Sequence, residues 1–485
     1  MKNRVMGEMM KLSKMFPGAP DVEIKGLCID SRKAKEGDLF FCLKGLEANG
    51  HKYAAKAVEL GAVAVVHSDE IEKEDGITYV NAEDTNRALN EAASVFNEDP
   101  SHKMTVFGVT GTNGKTTTTS IISDVFSHKK PCGYMGTIAV RYGNYSRVPN
   151  LTTPDALEVH SNLKEMYDHN MEAVAMEVSS HGLAMGRVDT VDFDVAIFTN
   201  LTYDHLDYHK TMENYLEAKA ALFKNMKKDG LAVLNADDDA SFEKLKEVCN
   251  CRYITYGIKN DADYRAENLK LSVDSTEFDL VHNGKSYRVK TNLSAEYNIY
   301  NLLGAIAGMH FAGMEIDEMI PYLEHIAQVD GRMEIIDEGQ DFAAIVDYAH
   351  TPDGFEQIFK YAEEVTDGKI YCVFGCAGKR DKVKRKILGE IAGKHCETVY
   401  VTEEDPRDET VEGIAEMIME GIPEEKRVLI TDRYEAIKAA LENAEKGDTV
   451  LILGKGDEPY MYRKNGREPW MGDHEAARKV LNEMK

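Results

Sequence analysis

Met104 to Thr119 reads MTVFGVTGTNGKTTTT, and no other stretch restricts the fold so strongly. A short apolar run ends in a glycine-rich turn, and Gly114-Lys115-Thr116 then opens a predicted helix. Strand, glycine loop and helix N-terminus in succession build a phosphate cradle, because loop N–H groups point inward and the helix dipole favours an anion. In this pattern the lysine, here Lys115, reaches the β/γ-phosphates, and the hydroxyl residue, here Thr116, ligates Mg²⁺. The common pattern would put its first glycine at position 109, where this chain has Val109 between Gly108 and Gly111, so the loop is a variant. The expectation is a nucleoside triphosphate held at the end of a parallel strand.

A chain of 485 residues is too long for one core, and about three domains is the natural expectation. Residues 1–100 read as a small α/β module, with Asp30-Ser31-Arg32, Gly37-Asp38-Leu39-Phe40-Phe41 and a buried-strand candidate at 62–66. Residues 101–332 carry the phosphate loop, then strand candidates Ala173–Val178, Val195–Phe198 and Leu231–Leu234 with helical patterns between, such as Met212–Met226. That alternation predicts a mostly parallel sheet with helices on both faces. Residues 263–290, including LKLSVDSTEFDLV, alternate like antiparallel strands. Residues 333–485 repeat the α/β theme in a Rossmann-like unit, with strand candidates Ala343–Val346, Ile370–Phe374, Thr398–Val401, Val428–Thr431 and Thr449–Leu453 and a terminal helix at Asp473–Met484.

The formal net charge of −26 argues against nucleic acid or an anionic membrane surface as a partner. No run of about 18 apolar residues exists, so no membrane span is expected, and the first residues lack the apolar core of a secretory signal. The eight cysteines are scattered without paired metal-site spacing and read as reduced thiols of a cytoplasmic protein, expected to be monomeric.

Site candidates follow predicted strands, where open parallel sheets present their ligand crevice. Glu177 ends one strand and is placed to hold Mg²⁺, the alternative being a solvated strand-end carboxylate. His205 and His209 would share a helix face, without a third ligand at zinc spacing. Lys219, by pattern alone, is a helix-surface lysine. Asp347 to Asp353, Gly375 to Asp381, Glu404 to Arg407 and Gly454 to Glu458 each follow a strand, so four polar loops are expected to gather at one sheet end around a small charged substrate.

The motifs DSR at 30–32, TGTNGKT at 110–116, TTPD at 152–155, EVSSH at 177–181, FTNLTYDHLDYH at 198–209, EYNIYN at 296–301, GRME at 331–334 and DYAHTPD at 347–353 resemble those of the Mur ligase family. These are ATP-dependent amide-forming enzymes of peptidoglycan precursor synthesis. The EVSSHGL and DHLDYH forms resemble the branch that adds the third stem-peptide residue. The resemblance implies a first domain for the UDP end of UDP-N-acetylmuramoyl-L-alanyl-D-glutamate, a second for ATP and Mg²⁺, and a third for the incoming diamino acid. On it, Ser31 matches a UDP contact, and Thr110, Gly111, Thr112, Asn113, Gly114, Lys115 and Thr116 match the ATP loop. Thr152, Thr153, Ser179 and Arg187 match substrate contacts, and Glu177 and His205 match magnesium ligands beside Thr116. Lys219 matches a lysine that becomes carbamylated and so joins the magnesium site; Lys115, Lys219 and His205 are the implied catalytic set. Asn298 and Asn301 fall on the adenine side, and Arg332, Asp347 and His350 where the third domain closes over the nucleotide. Arg380, Glu404, Asp405, Pro406, Arg407, Gly454 and Glu458 match the pocket of the added amino acid.

The chain departs from the family pattern in places. Met185 stands where a glutamine is usual, Ala295 and Ala377 replace glycines, Lys386 replaces a proline, EDPR replaces DNPR, and Asp457 replaces the histidine of GKGHE. Arg407 favours a second substrate carboxylate and so meso-diaminopimelate, whereas Glu404, Asp405 and Asp457 offer a counter-charge to a terminal ammonium, as in L-lysine. The alternatives are the same reaction with another amino acid, a folate-polyglutamate or cyanophycin-type ligase, an ATP-binding amidotransferase partner of the same family, or a plain nucleotide hydrolase.

Overall fold

The computed structural model describes residues 4–45, 49–272 and 275–485. Val273 and Asp274, inside the predicted antiparallel stretch, lie outside the described residues. The architecture is α/β throughout, built on three main sheets.

The first sheet orders its strands Arg4–Lys11, Glu23–Cys28, Asp38–Phe41, Ala62–His67 and Thr78–Asn81, with an antiparallel first pair and parallel pairs after it. Successive side chains of a strand point to opposite faces. Leu39 and Phe41 accordingly pack on helix Thr85–Phe96, while Phe40 and Cys42 face Ala54 and Ala57 of helix Ala54–Glu59.

The second sheet has eleven strands. Its middle is parallel: Thr105–Thr110 lies between Val195–Phe198 on one side and Ala173–Glu177 on the other. Leu231–Asn235, Arg252–Gly257 and Tyr264–Leu271 extend it one way and Cys132–Met135 the other, all in parallel pairing. The outer strands Thr276–His282 and Lys285–Thr291 pair antiparallel, as the alternating pattern predicts. Phe107 and Val109 face a core shared with helices Lys115–Phe126 and Glu296–Phe311, while Val106 faces the opposite core with helices Ala156–Asp168 and Met212–Lys224. Gly108 takes its place on that second face because a Cβ there would sit 2.6 Å from the Phe193 ring.

The third sheet orders Glu334–Ile335, Ala343–Asp347, Thr449–Leu453, Ile370–Phe374, Thr398–Val401 and Arg427–Leu429, parallel after its first pair. The four predicted polar loops therefore do emerge at one end of one sheet. The last strand sits slightly earlier than the predicted Val428–Thr431. Ile430 keeps a backbone bond to Val401, but Thr431 turns toward Asp432, which caps helix Arg433–Asn443. A hairpin of Tyr460–Arg463 and Gly466–Pro469 follows. Among the described residues no helix is long and apolar enough to cross a membrane.

Candidate active site

The phosphate loop leaves strand Thr105–Thr110 and enters helix Lys115–Phe126 between two required glycines. Gly111, at φ 155°, would put a Cβ 1.8 Å from Thr199 Oγ1, and Gly114, at φ 84°, would put one 2.1 Å from Asn301 Oδ1. The neighbouring strand clamps the loop from outside. Thr199 Oγ1 donates to the Asn113 carbonyl at 2.6 Å, the Thr112 N–H donates to the Asn200 carbonyl at 2.8 Å, and the Asn113 N–H donates to Asn200 Oδ1 at 2.9 Å. Thr199 and Asn200 belong to a quoted motif, yet nothing in their residue types marks them as the clamp.

Two lysines meet at this loop. Lys115 Nζ donates to the Gly111 and Thr112 carbonyls at 2.9 and 2.7 Å, and Lys219 Nζ donates to the same Gly111 carbonyl at 2.7 Å. Lys219 is only 1% exposed, which corrects the helix-surface reading of its pattern. Its helix turns it inward, over the Tyr215 ring at 4.3 Å. Burial away from water pushes its ammonium well below the usual lysine range, and the nearby Lys115 charge pushes the same way. Burial also lowers Lys115.

Glu177 is 1% exposed, not a solvated strand end. Its Oε1 accepts from Tyr134 Oη at 2.7 Å and the Thr137 N–H at 2.8 Å, and its Oε2 accepts from Thr137 Oγ1 at 3.0 Å. His205 does not share a helix face with His209. It caps the short helix Leu206–His209 at φ 54°, 3.3 Å from Asp204 Oδ2. His209 is buried against Ser180 Oγ at 3.0 Å. Desolvation lowers His205 from the ordinary imidazole value. Among the described residues no group of three or more His, Cys, Asp or Glu is arranged as a metal cage. Mg²⁺ needs none, since it is usually held by one or two carboxylates, waters and substrate phosphates. Thr116, Glu177, His205 and Lys219 all line one cavity, where a hydroxyl, a carboxylate and an imidazole together fit such an ion.

That cavity, of about 720 Å³, also takes in Gly111 to Lys115, Thr152, Ser179, Asn298 and Asn301. Asn301 Nδ2 donates to Asn298 Oδ1 at 3.0 Å, so the pair is held together. The third sheet supplies the roof: Arg332, Asp347, His350 and Arg380 line the same space. Asp347 accepts from the Met333 and Ala349 N–H groups at 2.7 Å each, and burial raises its carboxyl. Burial pushes His350 down to about 4. The roof is tied to the floor by Asn113 Nδ2 donating to Asp353 Oδ2 at 2.8 Å, Tyr203 Oη donating to Asp381 Oδ2 at 2.8 Å and Arg467 Nη1 donating to Asn150 Oδ1 at 3.2 Å.

A second cavity of about 310 Å³ adjoins the first and shares Thr137, Thr152, Tyr348 and Arg380 with it. It holds Asp405, Arg407, Asp457 and Glu458 under Tyr460 and Tyr462. The buried Lys455 bonds both Asp405, at 2.9 Å, and Glu458. Tyr348 Oη donates to Glu458 Oε1 at 3.2 Å. Arg407 Nη1 donates to the Gly378 carbonyl. Among the described residues, Arg380, Arg407 and Asp457 have no ion-pair partner. Tyr348 and Lys455 lie in two of the predicted polar loops without being singled out there, and the tyrosine pair comes from the hairpin, which the sequence reading did not include in the site.

Several predicted residues line neither cavity. Ser31 is buried in a turn of the first module. Thr110 is buried in its strand, with no hydrogen-bond partner for Oγ1 among the described residues. Thr153 Oγ1 donates to the Glu177 carbonyl at 2.9 Å and accepts from the Ser179 N–H at 2.9 Å, splinting the strand end. Arg187 Nη1 in turn donates to the Thr153 carbonyl at 2.8 Å. Glu404 and Pro406 are buried, next in sequence to Asp405 and Arg407 of the second cavity, and a Cβ on Gly454, at φ 106°, would meet Glu404 Oε2 at 2.3 Å.

A glycine phosphate loop at the end of a parallel strand, roofed by a second α/β sheet with an amino-acid-sized cavity between them, defines a nucleotide-dependent ligase assembled from modules. The chain belongs to the Mur ligase family: residues 109–309 match the Mur ligase middle domain, 331–456 the Mur ligase glutamate ligase domain, and 23–105 the Mur ligase family catalytic domain. It is 42% identical over 450 residues, 92% of each chain, to UDP-N-acetylmuramoyl-L-alanyl-D-glutamate–2,6-diaminopimelate ligase 1 of Clostridium acetobutylicum. It is 39% identical over 474 residues, 96% of this chain and 95% of the other, to the corresponding ligase of Bacillus velezensis. A solved structure of such a ligase aligns with a TM-score of 0.70 at 29% identity, covering 98% of this chain and 99% of the other. The fold is shared with the MurF ligase of Thermotoga maritima in complex with ADP, at a TM-score of 0.66 and 22% identity over 95% of this chain and 98% of the other.

Proposed function

We propose that this chain joins a diamino acid, meso-diaminopimelate, to UDP-N-acetylmuramoyl-L-alanyl-D-glutamate with the consumption of ATP. The observation that carries the choice of amino acid is the set of unpaired charges in the smaller cavity. Arg380 and Arg407 face it without carboxylate partners, Lys455 neutralises part of Asp405 and Glu458, and Asp457 has no cation at ion-pair distance among the described residues. A ligand with two carboxylates and one ammonium gives each of the three unpaired groups an opposite charge, one carboxylate for Arg380, one for Arg407 and the ammonium for Asp457. Diaminopimelate has that charge once its reacting amine is uncharged; lysine would leave one guanidinium unmatched.

In this reading residues 1–100 hold the UDP end around Ser31, residues 101–332 hold ATP, and residues 333–485 deliver the amino acid. Lys115 and the N–H groups of the loop from Thr110 to Thr116 neutralise the β/γ-phosphates, while Asn298 and Asn301 receive the base. Thr152, Ser179 and Arg187 steer the D-glutamyl end toward the phosphate. Its side-chain carboxylate attacks the γ-phosphorus to give an acyl phosphate and ADP. The free amine of diaminopimelate then adds to the acyl carbon, losing a proton as phosphate leaves. Arg332, Asp347 and His350 close the roof and exclude water, which would otherwise hydrolyse the acyl phosphate.

Mg²⁺, held by Thr116, Glu177, His205 and a carbamylated Lys219, would offset the phosphate charge. A protonated amine cannot serve there, whereas a carbamate supplies anionic oxygens. The burial that disfavours the Lys219 ammonium favours the neutral amine that CO₂ requires.

Phosphate release should be assayed with the UDP-dipeptide and diaminopimelate, lysine or ornithine side by side. Diaminopimelate is expected to be preferred; preference for lysine would overturn this assignment of the unpaired charges. Carbon-13 bicarbonate should give a carbamate resonance that Lys219→Met lacks.

A further inference from the structure

Two thiols stand outside this machinery. Of the eight cysteines, six are buried, and Cys249 and Cys251 are the partly exposed pair. Their sulfurs lie 3.5 Å apart, and Cys249 Sγ lies 3.5 Å from the Cys251 carbonyl oxygen. They flank Asn250 in the link between helix Asp239–Val248 and strand Arg252–Gly257. Asn250 is exposed, but it is anchored: its N–H donates to the Phe223 carbonyl at 3.4 Å and its side-chain amide to the Lys224 carbonyl. Those carbonyls end helix Met212–Lys224, which carries Lys219.

We propose that Cys249 and Cys251 form a redox-active dithiol that closes to an intramolecular disulfide by exchange with a small disulfide such as oxidised glutathione. The Cys249 thiolate attacks one sulfur of the oxidant, forming a mixed disulfide and expelling one thiolate. The Cys251 thiol, giving up its proton to solvent, then attacks Cys249 Sγ and expels the second. Two protein thiols are oxidised and one external disulfide is reduced to two thiols. Proximity favours the second step, since the sulfurs already touch and no other cysteine competes at the surface. The hydrogen bond between the thiols also lowers Cys249 below the ordinary thiol value and raises Cys251, which sets the order of attack. So short a ring makes a readily reduced bond, suited to switching rather than to stapling the fold. The proposal is independent of the ligase reading.

The test uses the full chain, equilibrated with oxidised glutathione, blocked with N-ethylmaleimide under native conditions and digested with trypsin. Cleavage after Lys246 and Arg252 isolates both cysteines in the peptide Glu247–Arg252. That peptide is expected to lose two hydrogens, to resist N-ethylmaleimide and to recover both thiols with dithiothreitol. Cys251→Ser, which cannot complete the second step, should instead accumulate a glutathione adduct on Cys249. Full alkylation of both cysteines after the oxidising treatment, or a Cys251→Ser protein without an adduct, would overturn the proposal.

Discussion

Arg433 and Asp473 form an ion pair in which both side chains are 0% exposed. Arg433 Nε and Nη2 donate to the two Asp473 oxygens at 2.7 and 2.6 Å. The remaining donors reach the Glu403 carbonyl at 3.1 Å and the Leu453 carbonyl at 2.7 Å. The pair therefore pins the starts of the two loops that carry Glu404 to Arg407 and Gly454 to Glu458. Asp473→Asn leaves a buried guanidinium without its counter-ion, a change that costs about 3–5 kcal/mol in comparable pairs. It also removes a negative charge from the first turn of helix Asp473–Glu483, worth about 0.5 kcal/mol more. With a urea slope of about 2 kcal/mol per molar, the midpoint should fall by about 2 M. The chain has one tryptophan, Trp470, packed at the edge of this same core, so its fluorescence reports this unit rather than the whole chain. The double variant Arg433→Met/Asp473→Leu removes both charges and should recover most of the loss. A midpoint for Asp473→Asn within about 0.5 M of the parent, or a double variant less stable than the single one, would refute the reasoning.

Other outcomes follow from the same geometry. Gly114→Ala forces a side chain to φ 84° and against Asn301 Oδ1, so ATP affinity by calorimetry should fall at least roughly tenfold while circular dichroism is unchanged. Asp457→Asn should raise the KM for diaminopimelate by roughly tenfold to a hundredfold and leave that for ATP alone; an unchanged diaminopimelate KM would remove Asp457 from the pocket. Burial pushes Glu404 up to about 7 from 4.5, so the native state binds its proton more tightly than the unfolded chain. Stability read at Trp470 should therefore decline as pH rises from 4.5 through 7 and level off above, and Glu404→Gln should flatten that slope.

The strands and the phosphate loop were legible because local signals agree there: apolar runs of strand length, a glycine turn, and a lysine–threonine pair opening a helix. Ile370–Phe374, Thr398–Val401 and Thr449–Leu453 fall where their apolar runs predict. What the pattern could not carry is burial imposed from elsewhere. Lys219 reads as a surface residue because its helix alternates, yet Tyr215 and the loop carbonyl take it inward. Glu177 reads as a strand-end acid, and only the return of Tyr134 and Thr137 encloses it. Lys455 gains its place from Asp405, fifty positions away, a pairing that no spacing rule foresees.

The floor and the roof of the large cavity come from different sheets, and direct polar ties such as Asn113–Asp353 and Tyr203–Asp381 span the seam. An inhibitor that grips the glycine loop with one end and Arg407 with the other would act as a strap across both halves, drawing strength from the rigidity it imposes as well as from the atoms it touches.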